Sequence, residues 1–126
     1  MPQGSCLCGA VRFTVAAPLA PPDACHCSQC RKTSGHYWAS TNVAPETLTL
    51  TGEDHVSWYA SSAKVRRGFC STCGSVLFWD PIEKPIISIA MGAFDKPSGT
   101  HLEMHIFTAD KGDYYDIADG LPQHEQ

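Results

Sequence analysis

The chain has 126 residues and a formal net charge of −4, with 43% hydrophobic and 17% charged residues. This composition predicts a folded globular protein rather than a disordered one, and the length suits a single domain over residues 1–126. The acidic balance argues against nucleic acid as a partner, because such binding depends on cationic contacts to phosphate, and no apolar run is long enough to span a membrane.

The first residues, from Met1 to Cys6, lack the basic and apolar segments of a secretory signal peptide. We therefore expect a cytoplasmic protein. Seven cysteines are many for such a chain, and their odd number means that they cannot all pair within one molecule. Their short spacings favour metal binding over a disulfide framework.

Alternation of apolar and polar residues predicts short β-strands along most of the chain. The predicted strands cover residues 11–15, 36–43, 47–51, 56–59, 64–69, 75–79, 86–91 and 101–107. Proline- and glycine-containing turns separate them. One helical turn is expected at 28–33, ended by Gly35, and another short turn at 110–119. The pattern predicts a mainly β protein of short antiparallel strands, arranged as a sandwich or an open barrel.

The cysteines fall into three groups along the chain. These are the pair Cys6 and Cys8, the triple Cys25, Cys27 and Cys30, and the pair Cys70 and Cys73. In the last pair, two cysteines three residues apart can face one ion, and Gly74 suits the left-handed turn that this requires. A closed tetrahedral zinc site needs two more thiolates, which Cys6 and Cys8 can supply. We expect this quartet to be structural, because a closed site has no position free for chemistry.

The triple has three thiolates, and three protein ligands with one open position are typical of a catalytic zinc. Three alternatives stay open: a second structural site closed by a histidine, a partly occupied site, and three metal-free thiols. Three thiolates around Zn²⁺ leave a net charge of about −1, which weakens water activation and favours a soft ligand such as a substrate thiolate. Arg31 and Lys32 follow directly and can offset that charge.

Several other residues are candidates for the site. His26 lies between two predicted ligands, and we favour a positioning role over ligation. A strand at 101–107 would present His101, Glu103 and His105 on one face, for which solvent exposure is the simpler interpretation. The aspartates that recur every third residue do not match a calcium loop and are interpreted as caps and turns; they are Asp110, Asp113, Asp116 and Asp119. The aromatic residues near the cysteines are expected in the core or in a pocket wall; they are Tyr37, Trp38, Phe78 and Trp79.

Three ordered motifs carry a resemblance to a known family. They are the segments 4–11 (GSCLCGAV), 25–32 (CHCSQCRK) and 69–75 (FCSTCGS), followed by 105–111 (HIFTADK) and by Asp116-Ile117 and 119–122 (DGLP). Together they resemble the glutathione-dependent formaldehyde-activating enzymes, a family related to centromere protein V. The resemblance extends over nearly the whole chain.

The resemblance implies a β-tent fold crosslinked by two zinc ions. It assigns Cys6, Cys8, Cys70 and Cys73 to the structural zinc, and Cys25, Cys27 and Cys30 to the catalytic one. It implies a carbon–sulfur lyase that joins glutathione to formaldehyde as S-(hydroxymethyl)glutathione. Basic residues are candidates to hold the glutathione carboxylates; they are Arg31, Lys32, Arg66 and Arg67.

Two other functions compete with a zinc-dependent enzyme that acts on a small aldehyde and a thiol. One is a zinc-stabilised binding module without catalysis, which predicts one tightly held zinc and an empty triple. The other is a thiol-redox protein that uses Cys70 and Cys73, which predicts thiols that titrate easily without a chelator.

Overall fold

A computed structural model describes all 126 residues, and the fold is mainly β. The strands are β1 (Gln3–Ser5), β2 (Arg12–Val15), β3 (Asp23–Cys25), β4 (Trp38–Val43), β5 (Leu48–Thr51), β6 (Val56–Ala60), β7 (Val65–Cys70), β8 (Val76–Pro81), β9 (Ile87–Ala90) and β10 (Met104–Ile106). The one α-helix is α1 (Ser28–Ser34). No helix has both the length and the apolar character needed to cross a membrane.

The strands form two sheets. The smaller has the order β1-β2-β5, and the larger has the order β10-β3-β4-β9-β8-β7-β6. All pairs are antiparallel except β3 with β10, in which Ile106 lies opposite Cys25. This parallel pair brings residues from near the end of the chain beside the cysteine triple.

The core joins the two sheets. Val11, Phe13 and Val15, from the smaller sheet and the turn before it, pack with buried residues of the larger one. The Phe13 ring meets Phe78 and Phe94 edge-on, at centroid distances of 6.1 and 5.1 Å. Burial of these side chains contributes about 1.5–3 kcal/mol each relative to exposure. The apolar residues at 11, 13 and 15 therefore alternate because one face of this segment is buried in the core.

Helix α1 begins and ends where the sequence predicts. The Cys27 sulfur caps its first turn by accepting a hydrogen bond from the Cys30 N–H at 3.3 Å. Gly35 has a left-handed φ of 88° and donates its N–H to the Arg31 carbonyl, which ends the helix. Two of the three clustered sulfurs therefore belong to a single helical turn.

Most predicted strands are present, but the region after residue 100 differs from the prediction. Only Met104–Ile106 of the segment 101–107 is a strand, because its partner β3 is itself three residues long. The helical turn expected over 110–119 is also wrong: a 3-10 turn covers Thr108–Asp110 and irregular chain follows. Strands β1 and β3 were not predicted, since each has three residues and no periodicity to detect.

Candidate metal centres and active-site cavity

The first cysteine cluster joins two distant parts of the chain. Cys6 and Cys8 lie in the β1–β2 connection, and Cys70 and Cys73 lie at the end of β7 and in the turn after it. All four sulfurs lie within 4.8 Å of one another, with Cys6–Cys8 at 3.6 Å and Cys8–Cys70 at 3.8 Å. Sulfurs around a tetrahedral zinc, bound at about 2.3 Å, lie about 3.8 Å apart. The quartet has this spacing, and none of its sulfurs is in a disulfide.

Backbone N–H groups point at the sulfurs of this quartet. Val11 donates to the Cys6 sulfur at 3.3 Å, and Cys73 donates to the Cys70 sulfur at 3.5 Å. Gly74 has a φ of 80°, the left-handed conformation predicted after the second cysteine of a metal turn. A hydrogen bond with the Ser75 hydroxyl lowers the pKa of Cys73 to about 5. Such donors favour the thiolate form that a metal requires.

The second cluster holds Cys25, Cys27 and Cys30 within the same 4.8 Å limit. Cys25 ends β3, Cys27 caps α1, and Cys30 is buried in the first turn of that helix. The neighbouring Cys25 thiol and the charge of Arg67 lower the pKa of Cys30 to about 6. The thiolate form of Cys30 is therefore favoured, and the three sulfurs can hold one metal ion.

A cavity of about 590 Å³ opens beside the triple and includes all three cysteines in its wall. One face of the larger sheet forms its base, which we call the cavity floor: Asp23, Cys25, Trp38, Ser40, Asn42, Arg67, Trp79 and Ser88. The opposite face of the same strands packs in the core. The quartet has no residue in this cavity, so the two clusters have different surroundings.

Arg67 is a cation in direct contact with the triple. Its side chain is buried, and both terminal nitrogens lie 3.8 Å from the Cys30 sulfur, while one also donates to the Gln29 amide oxygen at 3.3 Å. It forms no ion pair with a carboxylate. A buried guanidinium needs a counter-charge, and the cysteine thiolates supply one.

The other basic residues predicted for the site are Arg31, Lys32 and Arg66, and none of them lines the cavity. Neither Arg31 nor Lys32 is among the residues that line the cavity, although both follow the triple directly in sequence. Arg66 points away from Arg67, forms an ion pair with Asp80 at 2.8 Å and lies over the Trp58 ring. Arg67, which contacts the Cys30 sulfur and lines the cavity, was not predicted to offset the thiolate charge, whereas Arg31 and Lys32 were.

Asp23 is a second charged group on the cavity floor, and no motif or spacing in the sequence singles it out. It lies two residues before Cys25 on β3, so both side chains point to the same face of the strand. Burial, with a smaller contribution from Glu103, raises the pKa of its carboxyl. Asp23 forms no salt bridge.

His26 lies on the other face of this strand and starts a buried chain of hydrogen bonds. Its Nε2 is 2.9 Å from Nδ1 of His105, and its Nδ1 is 2.6 Å from the Tyr115 hydroxyl. Nε2 of His105 is 2.7 Å from the Asp119 carboxylate. Since a carboxylate only accepts, His105 donates to Asp119, His26 donates to His105, and Tyr115 donates to His26. Burial, followed by the charge of His105, lowers the pKa of His26 to about 4, so both rings are satisfied with His26 neutral.

This relay, consisting of Tyr115, His26, His105 and Asp119, changes two interpretations made from sequence. His105 is 2% exposed, so its expected solvent-exposed role is wrong, whereas His101 and Glu103 are exposed. Asp119 is the acceptor that ends the relay, in addition to a turn residue. His26 has both ring nitrogens occupied away from the sulfurs, in agreement with a positioning role. No local spacing could reveal contacts between residues 79 and 89 positions apart.

Three of the four predicted aromatic residues divide between core and cavity as expected, whereas Tyr37 packs against the rings of His26 and His36. Phe78 is fully buried between the sheets, whereas Trp38 and Trp79 line the cavity. The indole N–H of Trp38 is buried and has no hydrogen-bond partner. Such a donor near a cavity is suited to an acceptor atom of a ligand.

Comparison with known proteins places these clusters in a family. Residues 1–110 match the family model described as glutathione-dependent formaldehyde-activating enzyme. A Halomonas elongata protein, provisionally named a glutathione-dependent formaldehyde-activating enzyme, is 33% identical over 91% of this chain and 80% of its own length. An uncharacterised lyase of Schizosaccharomyces pombe is 27% identical over 92% of this chain and 85% of its own length.

A solved structure has the same fold. The crystal structure of a Rhodobacter sphaeroides protein aligns with a TM-score of 0.62 and 18% identity, and the alignment covers 97% of this chain and 98% of that one. The match of the family model over most of the sequence, together with the two cysteine clusters, establishes that the chain belongs to the family of glutathione-dependent formaldehyde-activating enzymes.

Proposed function

We propose that the protein is a zinc-dependent carbon–sulfur lyase that joins a thiol, such as glutathione, to a small aldehyde such as formaldehyde. The observation that carries this proposal is the position of the triple, whose three sulfurs line a cavity of about 590 Å³. In the same proposal the quartet of Cys6, Cys8, Cys70 and Cys73 holds a structural zinc. The family match and the lyase name of one relative support the reaction class.

Cys25, Cys27 and Cys30 would hold the zinc ion, which would supply a Lewis acid that favours the thiolate form of a thiol substrate. Arg67 balances the negative charge of the three cysteines, so that a further thiolate can approach. The aromatic side chains of Trp38 and Trp79 supply apolar surface in the wall of the cavity beside the triple.

The proposed step balances as an addition. The thiol sulfur forms a bond to the aldehyde carbon, the carbonyl π bond opens, and the thiol proton ends on the carbonyl oxygen. The product is a hemithioacetal, and cleavage of its carbon–sulfur bond is the reverse reaction. The cavity contributes by aligning two reactants that otherwise meet by diffusion.

The test is to load the protein with two equivalents of zinc and measure adduct formation from glutathione and formaldehyde by NMR exchange. We expect acceleration over the background reaction in the wild type and none in Cys27→Ser. Equal rates for the wild type, Cys27→Ser and buffer would contradict the proposal.

A non-catalytic zinc-stabilised binding module is the second candidate function. Its support is the quartet, which by spacing and burial can serve stability without any chemistry. Metal analysis distinguishes the two functions, because the binding module predicts one retained zinc per chain and the enzyme predicts two.

The cytoplasmic location proposed from sequence agrees with the seven cysteines, none of which is in a disulfide, because a reducing compartment keeps thiols in this state.

A further inference from the structure

We infer that Phe107 is a substrate-contact residue that selects a thiol of peptide size, because its ring packs against the part of the substrate beyond the sulfur. This inference rests on the proposed function, since it concerns which thiol the cavity accepts. Phe107 follows directly on β10, in the segment 105–111, and lines the same cavity as the cysteine triple.

The backbone of Phe107 is strained. It is the one non-glycine residue with a positive φ, at φ 55° and ψ 38°. A bulky residue is uncommon in this left-handed conformation, and such strain persists where the surrounding structure holds it, often at functional sites. The end of the chain holds it here: the Thr108 N–H and hydroxyl both donate to the His124 carbonyl, each at 3.0 Å, and the Asp110 N–H donates to the Phe107 carbonyl at 3.1 Å.

The left-handed conformation changes the face on which the Phe107 side chain lies. In β10, His105 faces the relay, whereas Ile106, which lies opposite Cys25, lines the cavity. One more extended residue would face the relay side again, because side chains alternate along a strand. Ile106 and Phe107 instead both line the cavity. The strained residue thus adds an aromatic ring to the cavity wall.

The size of the cavity and the exposure of the ring indicate what this ring contacts. Cavities of about 300–1,000 Å³ hold ligands of drug size, so the volume of about 590 Å³ leaves much room beyond formaldehyde and a two-carbon thiol. Phe107 is 39% exposed, so part of its ring is open to a ligand. A longer thiol with its sulfur at the triple reaches this outer part of the wall, where the ring can pack against apolar stems and amide planes.

Glutathione and 2-mercaptoethanol test this inference, because both carry a reacting thiol but differ in length. The measured quantity is the ratio of kcat/KM for glutathione to that for 2-mercaptoethanol, with formaldehyde and zinc-loaded protein. Phe107→Gly and Phe107→Asn remove the ring and tolerate the left-handed backbone. We expect each to lower the ratio roughly tenfold through the KM for glutathione, the effect of losing about 50 Å² of apolar contact. Phe107→Tyr keeps the ring and should restore the wild-type ratio.

Binding is measured separately with S-methylglutathione, whose blocked sulfur cannot form the adduct. Its dissociation constant, measured by isothermal titration calorimetry, should rise roughly tenfold in Phe107→Gly and Phe107→Asn. Ile82→Asn removes an exposed apolar side chain in the turn after β8, outside the cavity, and is the matched control that should keep the wild-type values. Circular dichroism and metal content verify that each variant folds and keeps both metal ions.

The outcomes separate the inference from the proposed function. An unchanged ratio in Phe107→Gly and Phe107→Asn, with acceleration retained, would overturn the inference and leave the function standing. An equal loss for both thiols would also overturn it, because Phe107 would then act on the reaction or the fold rather than on the length of the thiol. The absence of acceleration with either thiol in the wild type would remove the proposed function and the inference with it.

Discussion

Arg67 lies where the cysteine triple, helix α1 and the cavity floor meet. Its two terminal nitrogens contact the Cys30 sulfur, and its charge favours the thiolate there. We predict that Arg67→Gln weakens zinc binding at the triple by roughly 10- to 100-fold, the usual effect of removing a group that supports a metal ligand. Competition with a chromogenic chelator measures this affinity.

Arg66→Gln is the matched control for that experiment. Arg66 is the preceding residue of β7, but its side chain lies on the other face and pairs with Asp80 at the surface. This variant should keep the wild-type affinity at the triple, and the quartet should be unaffected in both. Equal affinities in Arg67→Gln and the wild type would refute the supporting role of Arg67.

Asp119 provides a prediction about pH. The hydrogen bond from His105, followed by that from the Leu121 N–H, holds the pKa of the Asp119 carboxyl below its ordinary value. Because the pKa is lower in the folded state than in the unfolded state, the contact stabilises the fold at neutral pH, and this contribution is lost as pH falls through the folded-state pKa. A carbon-13 NMR titration should show the depressed pKa in the wild type and a higher one in His105→Gln. Identical titration curves would show that His105 does not hold this carboxylate.

At the scale of elements, the segment after β10 closes over the buried face of β3. His105 donates its backbone N–H to the Pro122 carbonyl and accepts from the His124 N–H, so the end of the chain runs beside β10. Tyr115 completes the attachment through its hydroxyl on His26. Tyr115 and Asp119, the two ends of the relay, lie beyond residue 110, where the family model match ends, whereas His26 and His105 lie within it.

Tyr115→Phe removes one donor and leaves Nδ1 of the buried His26 without a partner. We predict a loss of about 1–3 kcal/mol in the free energy of unfolding, the cost of an unsatisfied buried polar group. Urea denaturation of the zinc-loaded protein measures it. Tyr114→Phe is the control, because Tyr114 is largely exposed and its hydroxyl contacts only the His36 ring at the surface, so stability should change by less than about 0.5 kcal/mol. Equal losses in the two variants would contradict the relay.

Some of these secondary-structure elements could be predicted from the sequence and others could not. The strands with alternating apolar residues, such as β2 and β5, were predictable because periodicity and packing against the core have the same cause. Helix α1 was predictable because Gly35 marks its end. Strand β3 was not, since its three residues show no period, and its parallel pairing with β10 joins segments about 80 residues apart.

The same division holds for the site. The cysteine clusters could be predicted because spacing within each motif fixes which sulfurs face one ion. Arg67 could not, because its position beside Cys30 depends on the register that pairs it with Trp79. Tyr115 and Asp119 reach the site through the relay, and a contact across the fold has no local signal in sequence.

At the scale of the whole molecule, the two metal clusters should contribute differently to stability. The quartet joins the β1–β2 connection to the end of β7, and structural zinc contributes about 10–16 kcal/mol, which is comparable with the total stability of a domain. We predict that Cys70→Ser abolishes cooperative folding, whereas Cys27→Ser keeps the fold and binds one metal ion fewer. Circular dichroism with thermal melting and metal analysis measure both effects.

Stepwise chelation should show the same order in the wild type. A mild chelator is expected to remove the metal of the cavity-facing triple first without loss of structure, and removal of the second ion should coincide with unfolding. Equal structural damage from Cys70→Ser and Cys27→Ser would contradict this difference between the clusters.

The strands of the larger sheet carry two independent sets of side chains. On β4 and β9, Asn42 and Ser88 face the cavity, while Thr41 and Ile89, their neighbours along the chain, face the core. Recognition and folding thus depend on different residues of the same strands. A mutation on one set can retune which molecule is accepted without disturbing the other, so this scaffold offers natural or laboratory evolution a route to new specificities at little risk to the framework.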